Sequence, residues 1–186
     1  MFTNLELTKP DPILGLEEAF NRDQRATKVN LSVGVYRDSA GITPIMNVVK
    51  QAEERILKFE LSKTYLSIEG MQEYATLVQE LLFSLDHEIL ANCRAVTAHT
   101  PGGTGALRVA ADMLKQIHPE AKIWVSQPTW PNHFNIFRAA GLKVETYPYF
   151  NPDTNTLAFD EWLAAIQNIP EGNVVVLQGG CHNPTG

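Results

Sequence analysis

Over the second half of the chain, short β-type runs alternate with helical patterns, and this alternation constrains the fold more than any other feature. Arg94 to Thr100, Lys122 to Gln127, Leu142 to Tyr149 and Asn173 to Gly180 read as strands. Between them, Leu107, Ala110, Ala111, Leu114 and Ile117 form an apolar stripe that ends at Pro119. A second helix is expected from about Pro131 with Gly141 as its cap, and a third over Asp160 to Ile169. Strands joined through helices pair in parallel, and a parallel sheet is covered by helices on its faces. The expected class is therefore α/β, a mostly parallel sheet with helices on both faces. With 186 residues and 44% hydrophobic content, the chain can bury one sizeable core.

The first part of the chain has a different period. From Asp11 to about Ser84 the pattern is mostly helical, opening with Asp11 as N-cap and Pro12 at the first helical position. A short apolar stretch, Val29 to Tyr36, interrupts it. Ile45, Val48, Val49, Ala52, Ile56 and Phe59 then recur at helical spacing, as do Met71, Tyr74, Ala75, Val78, Leu81 and Leu82. At the far end, Val174 to Leu177 reads as a buried strand with no crossover helix after it. The following Asn183-Pro184-Thr185-Gly186 looks like a turn leading into such a helix. The chain is thus expected to stop in mid-architecture.

The formal net charge of −6 is spread along the chain, which argues for a solvated acidic surface and against nucleic acid or anionic membranes as partners. Cys93 and Cys181 are too few for a disulfide framework and lack metal-ligand spacing. No leader-like start and no bilayer-length apolar run stand out, so a cytoplasmic location is expected.

Three segments carry chemistry. Thr100-Pro101-Gly102-Gly103-Thr104-Gly105 lies between an expected strand and an expected helix, where free backbone N–H groups and the helix dipole favour an anion such as phosphate. No G-K-[ST] follows as a P-loop requires, and Arg108 stands where a dinucleotide fingerprint needs its third glycine. A tight turn with glycines for close packing is the alternative. Trp130 follows Lys122 to Gln127 through Pro128-Thr129, at the edge where open parallel sheets bind ligands; it suits stacking on a flat ring, or plugging a core. Trp124 and Trp162 take the core reading. His133 suits a supporting hydrogen bond, or an ordinary surface or helix-start position. Cys181-His182-Asn183-Pro184-Thr185-Gly186 falls at the carboxyl end of a strand too, so three polar loops converge on one sheet edge. A metal site or a cysteine-histidine nucleophile at Cys181-His182 is unconvincing, because adjacent side chains diverge and no orienting group is identified.

Asp11 to Leu16, Val33 to Tyr36, Pro101 to Arg108, Trp124 to Ser126 with Pro128 to His133, and Cys181 to Gly186 together resemble aspartate and aromatic aminotransferases of the bacterial type, in order and spacing. The resemblance implies the fold of pyridoxal-phosphate-dependent transferases. Residues 1–44 would form an N-terminal arm and part of a small domain, and residues 45–186 the first part of a large cofactor-binding domain. It assigns Gly102, Gly103 and Thr104 to the phosphate of pyridoxal 5'-phosphate, Trp130 to the pyridine ring and Asn183 to the ring's phenolic oxygen. Gly34, Trp130 and Asn183 would meet the substrate. Tyr65 would reach the phosphate of the neighbouring subunit, which implies a homodimer with shared active sites. His133 would support an aspartate that pairs with the pyridine nitrogen. Both Gln127-Pro128 and Asn183-Pro184 are expected to be cis. Gly180 departs from the pattern, since the family commonly has cysteine there.

The implied reaction moves the amino group of L-aspartate, or a related amino acid, to 2-oxoglutarate, with the cofactor as electron sink. A lysine must serve both as covalent partner and as proton carrier. None of the eight lysines here occupies the matching motif, so no catalytic residue is assigned within the chain, and these 186 residues alone are expected to be inactive. A non-catalytic phosphate- or nucleotide-binding module is the alternative.

Overall fold

In the computed structural model, which describes residues 14–30, 32 and 34–186, contacts divide the chain into a first unit ending at Lys63 and a second running from Thr64 to Gly186. The first holds helices α1 (Leu14–Arg22) and α2 (Asn47–Phe59). Asp11 and Pro12, the expected start of α1, lie outside the described residues. Beyond its other end the Lys28 ammonium donates to the carbonyls of Phe20 and Asp23, at 2.7 and 2.6 Å, placing a cation where the helix dipole is negative. Within Val29 to Tyr36 the described residues are irregular, while Leu31 and Val33 lie outside them. A turn follows, in which the Asp38 carboxylate accepts from the amides of Ala40 and Ile42 at 2.9 Å and Gly41 takes φ +76°. Helix α2 is the amphipathic segment read from Ile45 to Phe59. By its contacts it belongs with the first unit, whereas the sequence division at 44/45 groups it with the later chain.

The second unit contains α3 (Gln72–Phe83), α4 (Glu88–Ala91), α5 (Gly102–Ile117), β1 (Lys122–Gln127), α6 (Asn132–Ala139), β2 (Lys143–Pro148), β3 (Phe150–Asn151), β4 (Thr156–Leu157), α7 (Phe159–Gln167) and β5 (Val174–Val175). Strands β2, β1 and β5 form a parallel sheet in that order, with Ile123 opposite both Val144 and Val174. The α/β expectation holds. Two-residue periodicity puts Ile123 and Val125 on one face, where both are fully buried against Ala111 of α5, Phe137 of α6 and Leu142. At about 25 cal/mol per Å² of apolar surface removed from water, such side chains contribute roughly 1.5–3 kcal/mol each. Helix α6 closes with the Gly141 amide on the Arg138 carbonyl and the Leu142 amide on that of Phe137, at 2.9 and 3.0 Å. Gly141 sits at φ +78°, so the expected glycine cap is a Schellman turn with an apolar Phe137–Leu142 clasp.

Two expectations need correction, and one pair of strands is additional. Arg94 to Thr100 has no regular secondary structure and pairs with no strand among the described residues. Its polar groups meet a loop and a side chain instead: the His99 amide donates to the Glu69 carbonyl at 2.8 Å, and the Gln79 side chain to the Thr97 hydroxyl at 2.9 Å. The strand read over Asn173 to Gly180 shrinks to β5. Its ladder reaches the Val176 amide, which bonds the Trp124 carbonyl at 2.8 Å, and Leu177 beyond it is exposed. The antiparallel pair β3–β4 was not expected from the sequence. Its turn is organised by Asn151, whose side-chain oxygen accepts the Asp153 amide at 2.9 Å. Gln127-Pro128 and Asn183-Pro184 are both cis, as expected. Among the described residues no helix is long and apolar enough to cross a membrane.

Candidate functional site

Helix α5 begins at Gly102 with Pro101 before it, and no side chain caps it. The Gly102 amide is taken by the Thr100 carbonyl at 2.9 Å, but the amides that follow it in the first helical turn have no acceptor within their own helix, so this end presents N–H donors and positive dipole outward. Its glycines divide by role. A Cβ at Gly105 would lie 3.4 Å from Pro101 Cδ, which is the packing reading. At Gly102 and Gly103 it would meet nothing within 4 Å, and Gly102 at φ +73° favours glycine on backbone grounds as well. The concavity over Gly102 and Gly103 is therefore open. Thr104 is exposed and shares a cleft of about 250 Å³ with Arg108, Asn132 and Asn135. This brings the glycine loop to the segment that follows Trp130.

Strand β1 delivers that segment. Thr129 is buried, Trp130 is half-buried, and His133 in the first turn of α6 is buried, which removes the surface reading of this histidine. The His133 ring meets the Trp130 indole edge-on, with centroids 5.3 Å apart and planes at 87°, and its Nδ1 lies 2.8 Å from the Thr129 hydroxyl. Burial, and secondarily the nearby His182, hold His133 below the ordinary imidazole range, so the ring is neutral at neutral pH.

Beyond β5 the chain bends at Gly180 and Cys181, the latter at φ +48°, and returns to the same edge. His182 is buried, with Nε2 2.8 Å from the Ser126 hydroxyl, Nδ1 2.7 Å from the Thr185 hydroxyl, and its ring stacked on Tyr149 at 4.0 Å. Burial lowers its pKa too. Asn183 has an exposed side chain, while its amide donates to the Gln178 side-chain oxygen at 2.9 Å. Two of the three loops expected to converge on the sheet edge are joined there, Gln178 linking Thr129 to Asn183, while the glycine loop follows no strand of this sheet and meets them only through the cleft that Thr104 shares with Asn132. Tyr65 is fully exposed in the second unit, and Gly34 lies in the first unit with open space around it. Ser126, Gln178 and Thr185 were not singled out from the sequence. Ser126 carried a signal, being a small polar residue directly after the apolar run Ile123-Trp124-Val125.

Among the described residues no three His, Cys, Asp or Glu side chains converge to hold a metal. The model for class I and II aminotransferases matches residues 26–186. The chain belongs to this family. It is 47% identical over 186 residues to an aspartate aminotransferase of Salmonella typhi, covering all of this chain and 47% of that protein. To an aromatic-amino-acid aminotransferase of Pseudomonas aeruginosa it is 45% identical, covering 46% of that protein. A solved aromatic-amino-acid aminotransferase from Burkholderia pseudomallei, covalently bound to pyridoxal phosphate, matches with a TM-score of 0.94 at 46% identity, over 99% of this chain and 46% of that one. This aminotransferase chain spans about half the length of the curated relatives it matches.

Proposed function

We propose that the full-length protein is a pyridoxal-phosphate-dependent transaminase that moves the amino group of L-aspartate, or a related amino acid, to 2-oxoglutarate. In this reading the 186 residues here form its cofactor cradle. The observation that carries it is the uncapped start of α5, open over Gly102 and Gly103, with Thr104 beside them lining a cleft shared with Asn132, in a chain of the aminotransferase family. The donor set fits the cofactor. Backbone amides at the helix start, with the Thr104 hydroxyl, suit a phosphate, and a half-buried indole held edge-on by His133 suits stacking on a pyridine ring.

When bound, the cofactor supplies an electron sink that eases departure of the substrate's α-proton. The chain's own contribution is to bind and orient. Gly102, Gly103 and Thr104 fix the phosphate end, and Trp130 fixes the ring plane. Asn183, whose backbone is held by Gln178, presents its side-chain amide as a donor to the phenolic oxygen. Neutral His133 braces Trp130 from the side. Gly34 is assigned to the substrate carboxylate. Tyr65, free of contacts along its whole side chain, is assigned to the phosphate of a partner subunit, which makes the working unit a homodimer.

The test has two arms. Purified full-length protein should bind pyridoxal phosphate and convert aspartate and 2-oxoglutarate to their transamination products. The isolated 186-residue chain should show no turnover and no borohydride-trappable bond between pyridoxal phosphate and a lysine. A full-length protein that neither binds the cofactor nor transaminates overturns the reading, and turnover by the isolated chain overturns the cradle role.

A further inference from the structure

We propose that Gln178 is a positioning residue whose single side-chain amide holds His133 in the tautomer protonated at Nε2 and fixes Asn183 in place. Gln178 is half-buried just beyond β5. Its side-chain oxygen accepts the Asn183 amide at 2.9 Å, and its nitrogen lies 3.4 Å from the Asn183 carbonyl and 3.5 Å from the Thr129 hydroxyl. These contacts decide which way round the amide sits. Turned over, its NH₂ would face the Asn183 N–H, donor against donor, and its oxygen would face the Asn183 carbonyl. The NH₂ group therefore has two hydrogens and two acceptors, one of them Thr129.

The consequence passes along the chain of bonds. Thr129 Oγ1 receives a hydrogen from Gln178 and must place its own. It is buried, at 7% exposure, where a hydroxyl hydrogen without an acceptor is costly. The other polar atom bonded to it among the described residues is His133 Nδ1, at 2.8 Å. Thr129 therefore donates to Nδ1, Nδ1 carries no hydrogen, and the neutral ring is protonated at Nε2. His133 becomes a donor on the side away from Thr129. Under the proposed function, on which this last step rests, Nε2–H serves the carboxylate that pairs with the pyridine nitrogen. The same amide keeps the Asn183 loop in register with the Trp130 loop.

The test reads the tautomer itself. In ¹⁵N-labelled full-length protein, before and after addition of pyridoxal phosphate, long-range ¹H–¹⁵N spectra at about pH 8 report which imidazole nitrogen of His133 is protonated. Nε2–H is expected in the wild type. Gln178→Glu replaces the donor with an acceptor. Thr129 then donates to the new carboxylate and accepts from His133, so the hydrogen moves to Nδ1. Gln178→Met, which neither donates nor accepts comparably, should give a mixture and serves if the glutamate variant does not fold. Nδ1–H in the wild type overturns the proposal, as does an unchanged tautomer in either folded variant. Both readouts are independent of turnover, so a protein with the expected tautomers and no transaminase activity would count against the proposed function alone.

Discussion

Replacing Gly70 with alanine would put a methyl group 2.2 Å from His99 Cβ, where two carbons at rest sit roughly 3.5–4.0 Å apart. Neither side can retreat freely. The Gly70 amide is bonded to the Ser67 carbonyl at 3.0 Å and the His99 amide to the Glu69 carbonyl at 2.8 Å, while the His99 ring is stacked on Tyr74 at 4.2 Å. Gly70 also sits at φ +91°, a backbone cost of about 1–2 kcal/mol for a residue with a Cβ. Forcing an extra carbon into such a contact adds about 1–3 kcal/mol. Gly172 is the control, because its φ of +82° carries a similar backbone cost while a Cβ there meets nothing within 4 Å. Both alanines restrict the unfolded chain by the same roughly 0.4–1 kcal/mol, which cancels in the comparison. Gly70→Ala should therefore lose about 1–3 kcal/mol more than Gly172→Ala in urea unfolding of the full-length protein, read from midpoints at a common m-value. Equal losses would refute the clash and with it the close approach of the 67–70 turn to His99.

Ile123→Ala, at a side chain with no exposure in the middle of β1, should cost about 2–5 kcal/mol in the same assay, and a loss below 1 kcal/mol would contradict the packed core. His133 and His182 both have pKa values lowered by burial from the ordinary 6.5, so between the lowered value and 6.5 the unfolded chain binds more protons than the folded one. Their contribution to stability is complete above about pH 6.5 and declines as pH falls below it; His182→Gln should flatten that acid limb, and a stability that rises on acidification would contradict it. On the proposed role of Trp130, Trp130→Ala in the full-length protein should weaken pyridoxal phosphate binding about 3- to 10-fold, taking stacking at roughly 0.7–1.4 kcal/mol; an unchanged absorbance titration would remove Trp130 from the ring.

The central β1–α6–β2 unit was legible because Ile123 and Val125 alternate with partly covered residues, while Gly141 and Pro119 mark helix ends by backbone chemistry that few other residues satisfy. Arg94 to Thr100 was misread because strand propensity describes one chain, whereas a strand needs a neighbour; here Gln79 and Glu69 supply the hydrogen bonds a neighbour would have made. The β3–β4 turn has a signal in Asn151-Pro152-Asp153, which forms an Asx turn, but an Asx turn alone does not specify that the short segments beside it pair as strands. Among candidate site residues, Trp130 and the loops that hold Gly102, Gly103, Thr104 and Asn183 stood out by residue type and by expected position after strands, and the family resemblance supplied the individual roles. Gln178 did not, because a glutamine carries no pattern of its own. Its role depends on Thr129, 49 residues earlier, and that proximity exists only once the sheet is built.

His182 and His133 share an edge of the sheet but differ in what surrounds their nitrogens. Both ring nitrogens of His182 face hydroxyls, Ser126 on one side and Thr185 on the other, and a hydroxyl can give or take a hydrogen by rotating. Either neutral tautomer, and the cation as well, can therefore keep both bonds. The loop that carries Asn183 is thus tethered by a ring indifferent to where its protons sit. A change in its protonation alters the energy of the fold without redrawing the turn that holds Asn183.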